Sequence, residues 1–192
     1  MKKGVIIFLG IIAFIIISGI VAFRWVNTLY TSAISLQENV EAQWGNVQTA
    51  YQRRADLVPN LVATVKGAAE NEKEILTGVT QARAGIVNAK TPEDMELMGK
   101  KINTAINLAF EAYPQIRSTQ NFSDLQAQLE GTENRISVER RKYNDAVRTY
   151  NKLIRHKIKR MGINMLADED EFTKREMFTA KKEAQDAPTV AF

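Results

Sequence analysis

Arg53, Arg54 and Asp56 lie in the stretch YQRRADLVPNLVATVKG over 51–67, and of the 192 residues they are the ones best suited by type to do chemistry. Two adjacent guanidiniums beside a carboxylate could clamp a phosphate or a carboxylate, which makes a small anionic ligand binder one reading. Cations near a helix end also suit the negative pole of its dipole. Nothing nearby supplies a nucleophile or a base, so structure outweighs ligand here. Glu130, Glu133 and Glu139 form a second set of carboxylates. Di-metal cages in helical bundles complete such sets with Glu-x-x-His pairs from other helices, and the chain has none. His156 is the only histidine and lies among Lys152, Arg155, Lys157, Lys159 and Arg160; there is no cysteine. A zinc site lacks its ligands, and no glycine-rich phosphate loop is present. The expectation is a non-enzymatic protein with no catalytic residue, no metal and no cofactor.

The elements that carry these residues are helices. From Leu29 the apolar positions step by three and four through Ala33, Leu36, Val40, Trp44, Val47 and Tyr51, which is helical periodicity. Pro59 predicts a stop near Ala55, with Asp56 capping a second helix that runs to about Ala89. That helix places Leu61, Val62, Val65, Ala69, Ile75, Val79, Ala82 and Ile86 inside. TPED over 91–94 is a start signal, with Thr91 as cap and an acid three residues on. The third helix runs to about Ala112 on Met95, Met98, Ile102, Ala105, Ile106 and Ala109, and stops at Tyr113-Pro114. Asn121 and Ser123 are candidate caps for the longest helix, Asp124 to Met161. Gly162 is expected at its C-terminal cap. Its seam reads Leu125, Leu129, Thr132, Ile136, Glu139, Tyr143, Val147, Tyr150, Ile154, Ile158 and Met161. Strand signals are absent, so the fold class is all-α: an antiparallel four-helix bundle, residues 25–162, joined by short connections. Residues 163–192 form a charged C-terminal segment, partly helical, with an extended end QDAPTVAF. Pairing Ala55 with Ser123 across the bundle places Trp44 and Val47 near Gly131 and Asn134, so that a large ring packs on the glycine.

The N-terminus is different in kind. After a four-residue flank holding Lys2 and Lys3, residues 5–23, VIIFLGIIAFIIISGIVAF, contain no charge. As a helix they reach roughly 28 Å, close to the ~30 Å hydrocarbon core of a bilayer. Val5, Phe8, Ile12, Ile16 and Phe23 mark this membrane anchor. The run is longer than a signal-peptide core and leaves through Phe23-Arg24-Trp25, which offers no cleavage site. Lys2 and Lys3 against Arg24 keep residues 1–4 in the cytoplasm and place the rest outside, as in an inner-membrane protein facing the periplasm. Trp25 and Tyr30 suit the lipid–water interface.

The net charge of +4 does not describe a nucleic-acid binder. Without Lys2, Lys3 and Arg24, 23 basic residues face 22 acidic ones. The excess is local, with ten Lys/Arg against Glu139 and Asp145 between Arg135 and Arg160. Most such runs are solvated helix faces. Here the fourth helix returns towards the anchor, so Lys152, Arg155, Lys157, Lys159 and Arg160 are candidate contacts to anionic lipid.

AQWGNVQTAYQRRADLVPNLVATVKG, EKEILTGVTQARA and AYPQIRSTQNFSDLQAQLEGTENRISVERRKYNDAVRTYNKLIR resemble, in that order, the blocks of the LemA family. The resemblance covers about residues 25 to 155, and the ending APTVAF is similar to the family's terminal P-x-V-x-F. The signature positions it picks out are Arg53, Arg54, Asp56, Pro59 and Asn60, then Glu130, Gly131, Glu133 and Asn134. It implies a single-pass bacterial membrane protein with a helical domain and no established catalysis. Relatives are associated with envelope stress, a membrane metalloprotease neighbour and magnetosome membranes. After Arg155 relatives often carry an F-P turn and a Gly/Phe-rich segment, whereas HKIKRMGINMLADEDEF here reads as continued charged helix. Partners expected are the bilayer, a second copy of the chain and a membrane protein. The leading expectation is an envelope scaffold acting by self-association, with an adaptor or regulator of a membrane protease as the alternative.

Overall fold

The computed structural model describes residues 2–64, 69–112, 120–168 and 170–179, with side chains over 3–60, 73–111, 123–168 and 170–179. Its elements are α1 (Lys2–Thr64), α2 (Ala69–Asn88), α3 (Pro92–Ala112), α4 (Gln120–Arg155) and α5 (Lys157–Ile163). The fold is all-helical, and no strand occurs among the described residues. Two compact units divide it: Met1–Glu41 with Ala146–Arg175, and Ala42–Asp145 with Glu176–Phe192.

In the second unit most of the predicted inward positions are buried, with Trp44 and Thr132 half-buried. Val47 and Ala55 from α1, Ile75, Val79, Ala82 and Ile86 from α2, Met95, Ile102 and Ala109 from α3, and Leu125, Leu129 and Ile136 from α4 are all buried. α2 and α3 pack on each other, close enough that a Cβ on Gly85 would strike Met98. The predicted capping box opens α3. The Asp94 amide donates to Thr91 Oγ1 at 3.1 Å, and the Thr91 amide donates to the Asp94 carboxylate at 3.1 Å. The Thr91 hydroxyl foremost, and then the Lys90 and Thr91 amides, hold the Asp94 carboxyl below its usual range.

Several boundaries differ from expectation. α1 does not stop near Ala55 but continues to Thr64 with Pro59 inside it, so Asp56 is mid-helix and caps nothing. An interior proline costs a helix about 3 kcal/mol. The flanking positions offset it, since Ala55 and Val58 are fully buried. α4 begins at Gln120, which puts Asn121 and Ser123 inside the helix instead of at its cap. It also ends early. His156 takes an extended backbone, φ −75°, ψ 110°, and α5 starts afresh at Lys157. Gly162 is therefore no C-terminal cap: it is buried inside α5, and Asn164 follows as the cap. Leu61, Val62, Val65 and Ala69 as core positions, Tyr113-Pro114 as a stop and the QDAPTVAF end lie outside the described residues or side chains.

In the first unit α1 changes character along its length. Residues 5–23 are helical and none of their side chains is covered. From Val26 onward the stripe buries Val26, Leu29, Ala33 and Val40. The seam of α4 stays buried through Tyr150 and Ile154, but Ile158 and Met161 are exposed, because the break at His156 interrupts the helical phase.

Candidate functional site

The second unit brings the two signature blocks together through one side chain. Arg54 in α1 reaches α4, where its Nη1 lies 2.9 Å from Glu133 Oε2 and donates to the Leu129 carbonyl at 3.0 Å. Its Nε donates to Asn103 Oδ1 of α3 at 3.2 Å. Only 12% of the Arg54 side chain is exposed, whereas its partner Glu133 is mostly open to water. A guanidinium with three partners in three directions ties helices together more than it awaits a ligand. The neighbouring charges diverge from it. Arg53 is exposed, and Asp56 is paired with Arg83 of α2. The three residues that sequence reading grouped as an anion clamp are thus separate in space.

A small cleft adjoins Arg54, bounded by Tyr51, Glu96, Gly99, Glu133 and Arg140, and holds about 60 Å³. That is room for a few waters, well below the roughly 300–1,000 Å³ of small-molecule sites. Four of its charges form pairs, Arg140 with Glu96 and Arg54 with Glu133, and the exposed Lys100 completes the lining. Burial pushes the Tyr51 phenol up from its ordinary value. Beside the cleft a wider trough of about 520 Å³ is lined by Phe110, Asn107, Gln126 and Glu130 together with Arg54. Glu130 accepts from Gln126 at 3.3 Å. Pro59 is half-buried in α1, and Asn60 and Asn134 are exposed.

Gly131 is not under a ring. A Cβ built on it meets nothing within 4 Å, and Trp44 instead packs on Tyr143, with centroids 5.2 Å apart, and stacks on Phe178 at 5.9 Å. A turn at Ala55 would pair Trp44 with the Gly131 region; with α1 running to Thr64, different residues face each other. Glu139, the one acidic member of the α4 seam, is buried and bonded on one oxygen to Arg135 at 3.0 Å and Lys142 at 3.2 Å. Among the described residues no three His, Cys, Asp or Glu cluster as metal ligands.

The contacts that sequence reading missed are those made by residues 170–179. In the second unit Asn144 of α4 holds Phe178 by both backbone groups. The Phe178 amide donates to Asn144 Oδ1 at 2.8 Å, and Asn144 Nδ2 donates to the Phe178 carbonyl at 2.9 Å. Tyr143 adds a bond from its hydroxyl to the Glu176 carbonyl at 3.1 Å, and the Arg140 guanidinium lies 4.6 Å from the Phe178 ring centre. In the first unit Asn151 holds Arg175 the same way, at 3.0 and 2.8 Å, and the Tyr150 hydroxyl donates to the Thr173 carbonyl at 3.0 Å. The repeat of Tyr-Asn at 143–144 and 150–151, one heptad apart on α4, was the available signal.

The LemA family model matches residues 43–192. The chain belongs to the LemA family. The match begins next to Trp44 and runs through the last residue, so the segment after Arg155 is part of what defines the family domain here despite its charged sequence. That segment is not one continued helix, because α5 ends at Ile163 and residues 173–179 are non-helical. The chain is also similar to Protein LemA of Metamycoplasma hominis, 24% identical over 155 residues, covering 79% of this chain and 70% of that one. Within the LemA family domain, Arg54, Glu133 and the Asn144 clamp read as the fastenings of the fold.

Proposed function

We propose that this protein is a single-pass, membrane-anchored, non-enzymatic scaffold of the bacterial envelope. In this reading the four helical segments of the second unit form an antiparallel bundle held outside the cytoplasm, and copies associate with one another. The observation that carries it is α1 itself. One helix contains an apolar stretch long enough to cross a membrane, with none of that stretch buried, and continues without a linker into a folded domain. In water those side chains would leave apolar surface exposed at about 25 cal/mol per Å², which a bilayer removes. The polar residues support holding over conversion, because Arg54, Glu133, Asp56 and Arg83 are paired with one another.

The test uses the full chain, extracted in mild detergent and sized. The expected result is an oligomer that cross-links between copies in intact membranes; a strict monomer in both assays overturns self-association. Because the chain has no cysteine, Lys174→Cys gives a single exposed thiol. Labelling of that thiol by an impermeant maleimide in cells whose outer membrane alone is opened is the expected topology, and labelling only after full lysis overturns it.

A further inference from the structure

Beyond the anchor, the first unit has a second surface built for lipid. α5 turns one side inward: Ile163 is fully buried, and a Cβ on Gly162 would come within 2.9 Å of Leu29 and 3.2 Å of Trp25. Glycine at 162 thus lets α5 lie directly on α1. Trp25 and Leu29 are two and six residues past Phe23, where the uncharged run ends, offsets of about 3 and 9 Å along the helix. The contact therefore sets α5 about 3–9 Å beyond the end of the apolar stretch.

The other side of α5 is apolar and open. Ile158 and Met161 in α5 are 61% and 65% exposed, and Met165 and Leu166, in the turn that closes it, are 69% and 44% exposed. Arg155, Lys157 and Lys159 are exposed around them. Scattered apolar residues on a surface need no explanation, but four within nine positions, with Arg155, Lys157 and Lys159 at their N-terminal side and Asp168 and Asp170 beyond, form a patch. The break at His156 creates it: as one uninterrupted helix, the seam would have carried Ile158 and Met161 on the side buried at Tyr150 and Ile154.

We propose that Lys157–Leu166 is an interfacial foot that inserts Ile158, Met161, Met165 and Leu166 at the headgroup–acyl boundary of an anionic bilayer, with Lys157 and Lys159 among the lipid phosphates. The proposal rests on α1 being a bilayer anchor. Amphipathic helices of this type lie in the membrane plane, and their lysines extend alkyl stems along apolar surface while the ammonium stays at the phosphates. A second copy fits this patch less well, because symmetric pairing would set Lys157 and Lys159 against themselves. Of the basic residues nearby, Arg160 serves the fold, donating to the Phe172 carbonyl.

The test places single cysteines in the full-length chain, labels each with an environment-sensitive fluorophore and reconstitutes the protein in vesicles of phosphatidylcholine with phosphatidylglycerol. Met161→Cys is expected to show blue-shifted emission, quenching by shallow lipid-borne nitroxides and loss of quenching by aqueous iodide. Ile12→Cys should be quenched by deep nitroxides, and Lys174→Cys by iodide alone. Lys157→Gln with Lys159→Gln is expected to lessen the Met161 lipid signal, as is replacing phosphatidylglycerol by phosphatidylcholine. Deep quenching at Ile12 with iodide access at Met161 overturns the foot and leaves the anchor standing; iodide access at Ile12 overturns the anchor reading. Cross-linking of Met161→Cys between copies, without lipid quenching, overturns the bilayer as occupant.

Discussion

The two stretches of α1 are made of the same kinds of residue used in opposite ways. From Val5 to Phe23 nearly every side chain is apolar and every one is exposed; from Val26 to Val58 only one residue in three or four is apolar and buried, among them Ala33, Val47, Ala55 and Val58 at zero exposure. A helix apolar all round needs an apolar solvent, whereas a striped helix needs a protein neighbour. Apolar content alone does not say what covers a helix; its angular distribution does.

The largest expected effects separate the two stretches. Val47→Asp puts an unpaired carboxylate into the second unit's core, a cost of several kcal/mol that should abolish cooperative unfolding while leaving the protein in the membrane fraction. Ile12→Asp should do the reverse. A charge at the centre of a membrane helix costs about 2.5–3.5 kcal/mol in insertion, so carbonate extraction should release more protein while the thermal transition of the folded part is unchanged. If Ile12→Asp melts the domain, or Val47→Asp frees the chain from membranes, the distinction between the stretches fails.

What could be read from the sequence follows the same line. Periodicity located the stripe of α1, the inward faces of α2 and α3, and the seam of α4 up to Ile154, because each is a local statement about 3.6 residues per turn. The capping box at Thr91 and Asp94 is equally local and came out with both bonds. The errors share a cause. Pro59 was read as a stop by a local rule, but buried Ala55 and Val58 carry the helix through it. That shift in where α1 ends moved every cross-helix pairing, which is why Trp44 meets Tyr143 and Phe178 rather than Gly131. The hold of Asn144 on Phe178 joins positions 34 apart through backbone groups, and no side-chain pattern in the 170s announces it. Arg54, read as a solvated charge closing a helix, is a tie because Glu133 and Asn103 meet it, and this too depends on tertiary register.

The seal over Trp44 sharpens the comparison, since it shows how a striped helix is finished. Phe178→Ala should cost about 3–5 kcal/mol, as buried aromatic truncations do. Asn144→Ala removes one acceptor and one donor for the Phe178 backbone and should cost about 1–3 kcal/mol. Asn144 bonds the backbone that seats the ring, so once either change has loosened that seat the other has less to remove, and in a double-mutant cycle the combined loss in urea midpoints should fall short of the sum of the two. Full additivity would mean that the Asn144 bonds do not position the Phe178 ring.

The smallest effects come from two glycines, one seated against the striped part of α1 and one open to solvent. A Cβ on Gly99 would come within 2.6 Å of the Tyr51 ring, and Tyr51 is itself buried, so Gly99→Ala forces the ring from its seat and should cost about 1–3 kcal/mol. Gly131, in the middle of α4, has nothing within 4 Å of its would-be Cβ. Gly131→Ala should therefore raise stability by about 0.5–1 kcal/mol, the ordinary helix gain of alanine over glycine. The sequence register had placed Trp44 there, which predicts a loss. Thermal denaturation of the two variants decides between the registers by sign: a destabilised Gly131→Ala would return Trp44 to Gly131 and undo the seating of Trp44 on Tyr143 and Phe178.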